Sequence, residues 1–274
     1  MASNESPALG LIAFDLDGTV IPREPERQMS ERVANALAAA AEKGYEVALA
    51  TGRPKSETPA ELWNLPWLGW RICSSGAVVY RSGYDEPVYE EFLEPAVLKE
   101  ALAIVGEEPL RAWADVPGGY LMKALSGGLD DHGWLPPCGT EVQDLAAACA
   151  EAGGIHKLMV HYEEPGMREA AQAKLVASLG ERADVANEGA YSVEVTPAGS
   201  GKGPAAMHVC EAEGIDPRNS YAFGDSGNDL SFADVPLTFV AMADAEQKVL
   251  DAADAVCPAV DEDGVAVWLE RYVL

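Results

Sequence analysis

Two carboxylates follow a short apolar segment near the start of the chain, in the run Asp15-Leu-Asp17-Gly18-Thr. Two positions apart at a strand end, both carboxylates project from the same side of the turning chain. One can attack a phosphorus atom while the other transfers protons, and Gly18 permits a sharp turn between them and the next element. The alternative is an acidic turn at a strand end. The run therefore favours nucleophilic and acid-base chemistry at this point.

A hydroxyl and a lysine supply possible phosphate contacts. Thr51 and Gly52 follow a second apolar segment, where a hydroxyl and free backbone N–H groups can hold a phosphoryl oxygen, although such a turn is also common without a function. Lys202 lies in a glycine-rich turn before a predicted helix, where an ammonium can neutralise phosphate. A nucleotide-binding P-loop is excluded, because Gly203 follows the lysine and Thr196 replaces the first glycine of that motif.

Oxygen ligands cluster in a third loop, which contains Asp225, Asn228 and Asp229. Hard cations such as Mg²⁺ prefer carboxylate and carbonyl oxygens. The alternative is a turn followed by a helix cap, which Asn228 or Asp229 can provide. We favour a metal site over a cap alone, because this loop, like Asp15, directly follows a predicted strand.

Alternating strands and helices position these motifs at both ends of the chain. We predict an α/β fold in which a Rossmann-like parallel sheet carries helices on both faces. Ligands of such sheets bind at the carboxyl ends of the strands. The predicted strands are 11–15, 45–50, 71–74, 77–80, 220–223 and 237–242, and the predicted helices are 30–43, 203–213, 228–233 and 245–252.

The middle of the chain has a different pattern, which predicts an antiparallel sheet with helices on one face. The predicted strands there are 88–92, 120–125, 155–162, 183–186 and 191–195, and the predicted helices are 95–105, 140–152 and 165–179. We therefore predict a catalytic core from residues 1–81 and 194–274. An α/β cap domain, residues 82–193, is inserted into it.

Taken together, the motifs resemble the haloacid dehalogenase (HAD) superfamily, and more closely its Cof-type phosphatases. The resemblance covers the whole chain, and the large insert between Thr51 and Lys202 is similar to a type IIB cap. The matching runs are Phe14-Asp-Leu-Asp-Gly-Thr, Ala50-Thr-Gly-Arg, Gly201-Lys-Gly and Phe223-Gly-Asp-Ser-Gly-Asn-Asp.

The resemblance implies a role for each candidate residue. Asp15 would be the nucleophile and Asp17 the general acid and base. The phosphate would be held by Thr51, Gly52 and Lys202, and Mg²⁺ by Asp15, the backbone carbonyl of Asp17, and Asp225, with support from Asn228 and Asp229. Two positions depart from the family pattern, because Ser75 and Asp244 stand where asparagine is usual.

The expected activity is Mg²⁺-dependent hydrolysis of phosphate monoesters through an aspartyl phosphate. By resemblance, the substrates would be small phosphorylated metabolites such as sugar phosphates. A dehalogenase is disfavoured, because Asp17 would have no task in that reaction. A phosphomutase shares the chemistry and stays open as an alternative, as does a non-catalytic regulatory binding protein on the same scaffold.

The composition limits the kinds of molecule and metal ion that the chain is expected to bind. The chain has 274 residues and a net charge of −26, which repels nucleic acid and anionic lipid. A phosphorylated substrate would also be repelled unless a local cation reversed the field, which favours a bound metal. Five scattered cysteines without a Cys-x-x-Cys pair argue against a zinc site. The apolar run 11–14 is too short for a signal peptide or a membrane span, so we expect a cytoplasmic protein.

Overall fold

Two β-sheets organise the chain in the computed structural model, which describes residues 8–23, 28–125 and 139–274. The strands in these ranges are β1 (Leu11–Phe14), β2 (Glu46–Ala50), β3 (Trp70–Cys73), β4 (Val78–Arg81), β5 (Tyr89–Glu90), β6 (Arg111–Val116), β7 (Gly119–Ala124), β8 (Gly139–Glu141), β9 (Lys157–His161), β10 (Ala183–Glu188), β11 (Ser192–Pro197), β12 (Tyr221–Gly224), β13 (Thr238–Met242) and β14 (Ala255–Cys257). The α-helices are α1 (Glu31–Glu42), α2 (Ala60–Trp63), α3 (Pro95–Val105), α4 (Leu145–Glu151), α5 (Pro165–Leu179), α6 (Lys202–Glu213), α7 (Gln247–Ala252) and α8 (Gly264–Tyr272).

The first sheet has the strand order β14-β13-β12-β1-β2-β3-β4-β5. The strands from β14 to β3 are parallel, which confirms the predicted α/β fold with a parallel sheet. The prediction was wrong for β4, which runs antiparallel to β3, and the strand predicted at 88–92 in the middle domain joins this sheet as β5. The short turn between β3 and β4 explains this, because a parallel crossover needs a dozen or more residues.

Helices cover both faces of the first sheet, because successive residues of β1 point to opposite faces and all are apolar. Ile12 and Phe14 point into a core shared with α1 and α8, whereas Leu11 and Ala13 point into a second core shared with α6 and α7. Helix α1 begins where the Ser30 hydroxyl accepts a hydrogen bond from the backbone N–H of Val33 at 3.1 Å. Such a cap contributes about 1 kcal/mol to a helix.

The second sheet has the order β10-β11-β9-β6-β7-β8 and is antiparallel except where β7 meets β8. Helices α3, α4 and α5 pack against one face, where Ala112, Ala114 and Val160 are fully buried. The other face carries a smaller cluster that includes Trp113 and Met159. The predicted antiparallel sheet with helices on one face is therefore confirmed.

The sequence analysis did not predict α2, β8, β14 or α8, and three further differences concern elements near the site or the insert. Strand β6 was missed, although it is the central strand that joins β7 to β9. The predicted helix 140–152 begins only at Leu145, because Asp144 caps it and accepts a hydrogen bond from the backbone N–H of Ala147. The predicted helix 228–233 is instead a 3₁₀ segment, Gly227–Asp234.

Both changes from one sheet to the other fall later in the chain than the predicted domain boundaries at residues 82 and 193. Strand β5 belongs to the first sheet although it lies within 82–193, and β11 carries the second sheet on to Pro197. An inserted domain over about 82–193 remains our proposal, with these differences at its edges. We call residues 95–197 the insert and the remaining described residues the core.

The described cysteines and helices can be compared with what the composition led us to expect. Cys73, Cys149, Cys210 and Cys257 are free and buried, and Cys138 lies outside the described residues. Among the described helices, none combines the length and apolar character that a bilayer crossing needs.

Candidate active site

Three adjacent parallel strands bring the candidate residues to one edge of the core sheet. Asp15 directly follows β1, Thr51 follows β2, and Asp225 follows β12. The order β12-β1-β2 makes these strands neighbours, so their carboxyl ends meet. Lys202 enters from the first turn of α6, where Gly76 and Gly203 allow close approach: a Cβ on Gly203 would lie 1.9 Å from the Ser231 carbonyl oxygen.

Lys202 is fully buried and joins two of the carboxylates. Its Nζ lies 2.6 Å from Asp15 Oδ1, 2.7 Å from Asp229 Oδ1 and 3.1 Å from Asn228 Oδ1. Burial acts to lower the pKa of the ammonium, but the attraction of Asp15 and Asp229 is stronger in total, so that pKa is raised. The lysine therefore stays charged at neutral pH.

Asp15, Asp225 and Asp229 form a buried acidic group whose possible ligand atoms all lie within 4.8 Å of one another. Burial raises the pKa of Asp15 well above its ordinary value; Lys202 opposes this rise, whereas Asp229 and Asp225 add to it. Burial and Asp229 likewise raise the pKa of Asp225 against the attraction of Arg23. Carboxylate oxygens held this close fit a hard divalent cation, which would relieve their mutual repulsion.

Both oxygens of Asp229 accept hydrogen bonds, from Lys202 and from the backbone of the loop after β12. Oδ2 accepts from the backbone N–H groups of Asp225 and Ser226, at 2.9 and 3.0 Å, and Oδ1 accepts from Lys202. Asp229 thus shapes the loop after β12 and also places the lysine.

Asp17 stands apart from this group and is held by an arginine. Arg53 Nε and Nη2 donate to the two oxygens of Asp17, at 2.8 and 2.6 Å, in a bidentate pair. The Asp17 side chain is 34% exposed, so it faces the open side of the site. Planar guanidinium–carboxylate pairing fixes orientation as well as charge.

The turn after Asp17 brings a second arginine to Asp225. Gly18 has a φ of 97°, and a Cβ there would lie 2.5 Å from Asp225 Oδ2. Thr19 donates to Asp225 Oδ1 at 3.1 Å, and Arg23 pairs with Asp225 Oδ2. Glycine is therefore required at position 18 by conformation and by space.

Thr51 and Gly52 lie in the loop that follows β2. Thr51 is buried, and its Oγ1 accepts a hydrogen bond from the Arg53 N–H at 3.1 Å. A Cβ on Gly52 would lie 3.2 Å from Asn228 Nδ2, so this loop lies against the loop after β12. The structure thus brings the predicted phosphate-binding residues to the acidic group.

The two departures from the family pattern lie in different surroundings. Ser75 is buried with a φ of 55°, a left-handed conformation that asparagine adopts more readily than serine, and its hydroxyl donates to Glu194 at 2.9 Å. Asp244 is exposed in the turn after β13. Of the two, Ser75 contacts the insert through Glu194.

A cavity of about 690 Å³ lies between the core and the insert. The core contributes Asp17, Arg53 and Glu57 to its wall, while the insert contributes residues of its helix-free sheet face, among them Trp113, Tyr120, Lys157, Met159 and His161. Ligand pockets for small molecules have volumes of roughly 300–1,000 Å³. The cavity is thus large enough for a small leaving group attached to the phosphate.

Sequence reasoning missed the arginines and the polar residues of the insert. Arg53 had a local signal, because it directly follows Thr51 and Gly52. Arg23, Lys157 and Glu194 had none, because their partners are distant in the chain: Arg23 pairs with Asp225, Lys157 with Gly52, and Glu194 with Ser75.

A lysine-bridged acidic group at the strand ends of an α/β sheet, covered by an insert, defines a class of phosphoryl-transfer hydrolase. A family model described as haloacid dehalogenase-like hydrolase matches residues 12–269. The chain belongs to that family and is an enzyme of its phosphatase type, as the sequence predicted.

Relatives match along almost the full length. The chain is 24% identical over 270 residues to 5-amino-6-(5-phospho-D-ribitylamino)uracil phosphatase YcsE of Bacillus subtilis (strain 168), covering 98% of each chain. It is 24% identical over 273 residues to pyridoxal phosphate phosphatase YbhA of Escherichia coli (strain K12), covering 96% of this chain and 98% of the relative. Its fold is similar to that of the HAD subclass IIB sugar phosphatase BT4131, with a TM-score of 0.83 and 21% identity, over 96% and 98% of the two chains.

Proposed function

We propose that the chain hydrolyses monoesters of small phosphorylated metabolites in a Mg²⁺-dependent reaction that passes through an aspartyl phosphate on Asp15. The observation that carries the proposal is the contact between the buried Asp15 carboxylate and the fully buried Lys202 ammonium, within a buried acidic group. Uncatalysed phosphate-monoester hydrolysis is so slow that charge neutralisation is the main requirement.

In the first step, an Asp15 carboxylate oxygen forms a bond to phosphorus while the bond from phosphorus to the ester oxygen breaks. Protonated Asp17 gives its proton to the departing oxygen. Lys202 and the N–H groups of the loop after Thr51 hold the phosphoryl oxygens. The Lys202 contact with Asp15 also keeps the attacking carboxylate in one orientation.

In the second step, Asp17 takes a proton from water, and the water oxygen attacks the phosphorus of the aspartyl phosphate. The bond to Asp15 breaks, which restores its carboxylate and releases inorganic phosphate. Arg53 supports the second step, because its bidentate pair holds the ionised, half-exposed Asp17 at the mouth of the site.

The donor set supports Mg²⁺ as the metal. Asp15, Asp225 and the backbone carbonyl of Asp17 would hold it, and Asp229 would support the site through its hydrogen bonds to Lys202 and to the backbone of the loop after β12. When bound, Mg²⁺ supplies positive charge next to the phosphoryl oxygens.

The leaving group would occupy the cavity under the insert. Its wall combines aromatic side chains such as Trp113 with charged ones, which suits a small polar or ring-containing metabolite. The names of YcsE, YbhA and BT4131 describe a ribitylaminouracil phosphate, pyridoxal phosphate and sugar phosphates as substrates of those proteins. These three kinds of compound form the first panel to test here.

The test is release of phosphate from that panel and from p-nitrophenyl phosphate, with Mg²⁺ and with EDTA. We expect hydrolysis only with Mg²⁺. Acid-quenched enzyme should carry a phosphoryl group on the peptide that contains Asp15, detected by mass spectrometry. Transfer of the phosphoryl group to a sugar instead of water would indicate a phosphomutase. The absence of any turnover with Mg²⁺ would favour the regulatory binding protein.

A further inference from the structure

A buried lysine of the insert reaches the phosphate-binding loop of the core. Lys157, the first residue of β9, is only 1% exposed, and its Nζ donates to the backbone carbonyl oxygen of Gly52 at 2.6 Å. Gly52 lies between Thr51, which we assign to the phosphate, and Arg53, which holds Asp17. A single contact from the insert therefore reaches the segment to which we assign phosphate binding and the orientation of Asp17.

The charge of Lys157 is balanced by carboxylates from three other strands of the insert. Its Nζ lies 3.5 Å from Glu194 Oε2, 3.8 Å from Asp115 Oδ2 and 4.0 Å from Glu188 Oε2. Asp115 is fully buried, and neither of its oxygens has a hydrogen-bond donor among the described residues. Such an arrangement is costly without the lysine, because an uncompensated charge would remain buried.

Two further hydrogen bonds join the insert to the same part of the core. Ser75 donates to Glu194 through its hydroxyl, and its backbone N–H donates to the Thr51 carbonyl at 3.1 Å. Tyr120 donates to Glu57 at 3.1 Å, one turn beyond Arg53. Lys157 thus contacts the loop directly, while Glu194 and Tyr120 of the insert contact core residues next to it, Ser75 and Glu57.

We propose that Lys157 is a positioning residue, which orders the loop 51–53 through the Gly52 carbonyl when the insert is closed over the site. This rests on the proposed function, because the loop is taken to grip phosphate. Lys157 also lines the cavity, so the rival explanation is direct contact with the leaving group. The two differ in which substrates they affect, since every substrate shares the phosphate but not the leaving group.

The variants are compared above the raised pKa of Asp115, which is about 7, so that Asp115→Asn gives a background with one fewer buried negative charge. Asp115→Asn is the reference, and Asp115→Asn with Lys157→Met removes the lysine while leaving the cluster's net charge close to its original value. Lys174→Met is the matched control, because Lys174 is exposed on α5, a helix of the insert. If the methionine variant does not fold, Lys157→Gln in the same background serves, since its amide keeps a donor but is one bond shorter.

We expect the double variant to lose ~10-fold or more in kcat/KM relative to Asp115→Asn, for p-nitrophenyl phosphate and for the best metabolite alike. Lys174→Met should match the wild type. Equal values for the double variant and its reference would overturn the proposal. A loss confined to the metabolite would also overturn it and would assign Lys157 to the leaving group.

Hydrogen–deuterium exchange tests the same idea without turnover. Peptides covering residues 50–57 should exchange faster in the double variant than in Asp115→Asn, whereas peptides of β12 and β13 should not change. Unchanged exchange at 50–57 would overturn the positioning role. A wild-type enzyme that hydrolyses no phosphate ester would instead overturn the proposed function, and the exchange result would still decide the role of Lys157.

Discussion

At the scale of single residues, the two aspartates that follow β1 have separate partners. Asp15 contacts Lys202 in the buried group, while Asp17 is paired with Arg53 at the half-exposed rim. This separation suits a nucleophile that must stay in place and an acid–base residue that must meet both the leaving group and water. It also means that substitutions at the two positions should have different kinetic signatures.

Asp17→Asn should separate the two chemical steps on p-nitrophenyl phosphate. The p-nitrophenolate ion leaves without a proton, so the first step should continue, but water would lack its base. Rapid-mixing measurements should show a burst approaching one equivalent of p-nitrophenolate and then almost no turnover. Asp15→Asn should show no burst. Steady turnover of Asp17→Asn at the wild-type rate would contradict the assignment of Asp17 as the base.

Asp225→Asn should weaken Mg²⁺ binding, because the substitution removes a charged oxygen from the acidic group. We expect the Mg²⁺ concentration for half-maximal activity to rise by ~10-fold or more, as outer supporting groups alone already change metal affinity by ~10–100-fold. The exposed Asp85 provides a control, and Asp85→Asn should titrate as the wild type does. An unchanged half-saturation point in Asp225→Asn would show that Asp225 is not a ligand.

At the scale of secondary-structure elements, α6 depends on close approach to the loop after β12. Gly203 faces the Ser231 carbonyl, and a Cβ there would be 1.9 Å from its oxygen, so Gly203→Ala must displace backbone. We expect the free energy of unfolding to fall by about 1–3 kcal/mol, typical of overpacking. Activity should fall too, because Lys202 is the neighbouring residue.

Gly166 of α5 is the matched control for that substitution. A Cβ at Gly166 meets nothing within 4 Å, so Gly166→Ala should stabilise the helix by about 0.5–1 kcal/mol. Urea denaturation followed by circular dichroism would compare both variants with the wild type. Similar midpoints for the two variants would show that the predicted collision at Gly203 is relieved at little cost.

The core elements that carry the site were predictable, because each has a clear local pattern, whereas α2, β14 and α8 were not predicted. Strand β1 is a run of apolar residues, and α1 has a serine cap and an apolar stripe. Strand β6 was not predictable, because Arg111 and Asp115 are charged, whereas the structure buries them on the face that meets the core. Two of its other residues are alanines, which have low β-propensity. The pattern along a single strand shows which residues face the core of their own domain, but not which residues become buried where two domains meet.

The candidate site was predictable to a similar extent. Residues that follow strands in a parallel sheet must converge, so Asp15, Thr51 and Asp225 could be grouped from their positions alone. The contribution of the insert could not, because Lys157 begins a strand whose remaining pattern says nothing about the loop at Gly52. Such contacts depend on how the two sheets face each other.

At the scale of the whole molecule, the junction between insert and core is polar and buried, and this makes stability depend on pH. Burial raises the pKa of Asp115 to about 7 from an ordinary value of 3.8, although Lys157 opposes the rise. The folded chain therefore keeps a proton that the unfolded chain releases between about pH 4 and pH 7. This carboxyl lowers the free energy of unfolding as pH rises through that window.

Asp115→Asn should remove that contribution. Relative to the wild type, the variant should gain about 2–3 kcal/mol in free energy of unfolding between pH 5 and pH 7, since a group protonated only in the folded state contributes about 1.4 kcal/mol per pH unit. Urea denaturation at several pH values, in buffers of equal ionic strength, would measure the difference. Parallel stability curves for the two proteins would contradict the raised pKa.

The burial of Lys157 has a consequence for chemical labelling. Amine acylation requires an accessible, uncharged amine, and the insert and core together leave this side chain only 1% exposed. An insert that moves away from Gly52 to admit a substrate would uncover the lysine. The acylation rate of Lys157, measured by mass spectrometry relative to the exposed Lys174, would then report how often the insert opens. An inhibitor that keeps the insert closed should lower that rate.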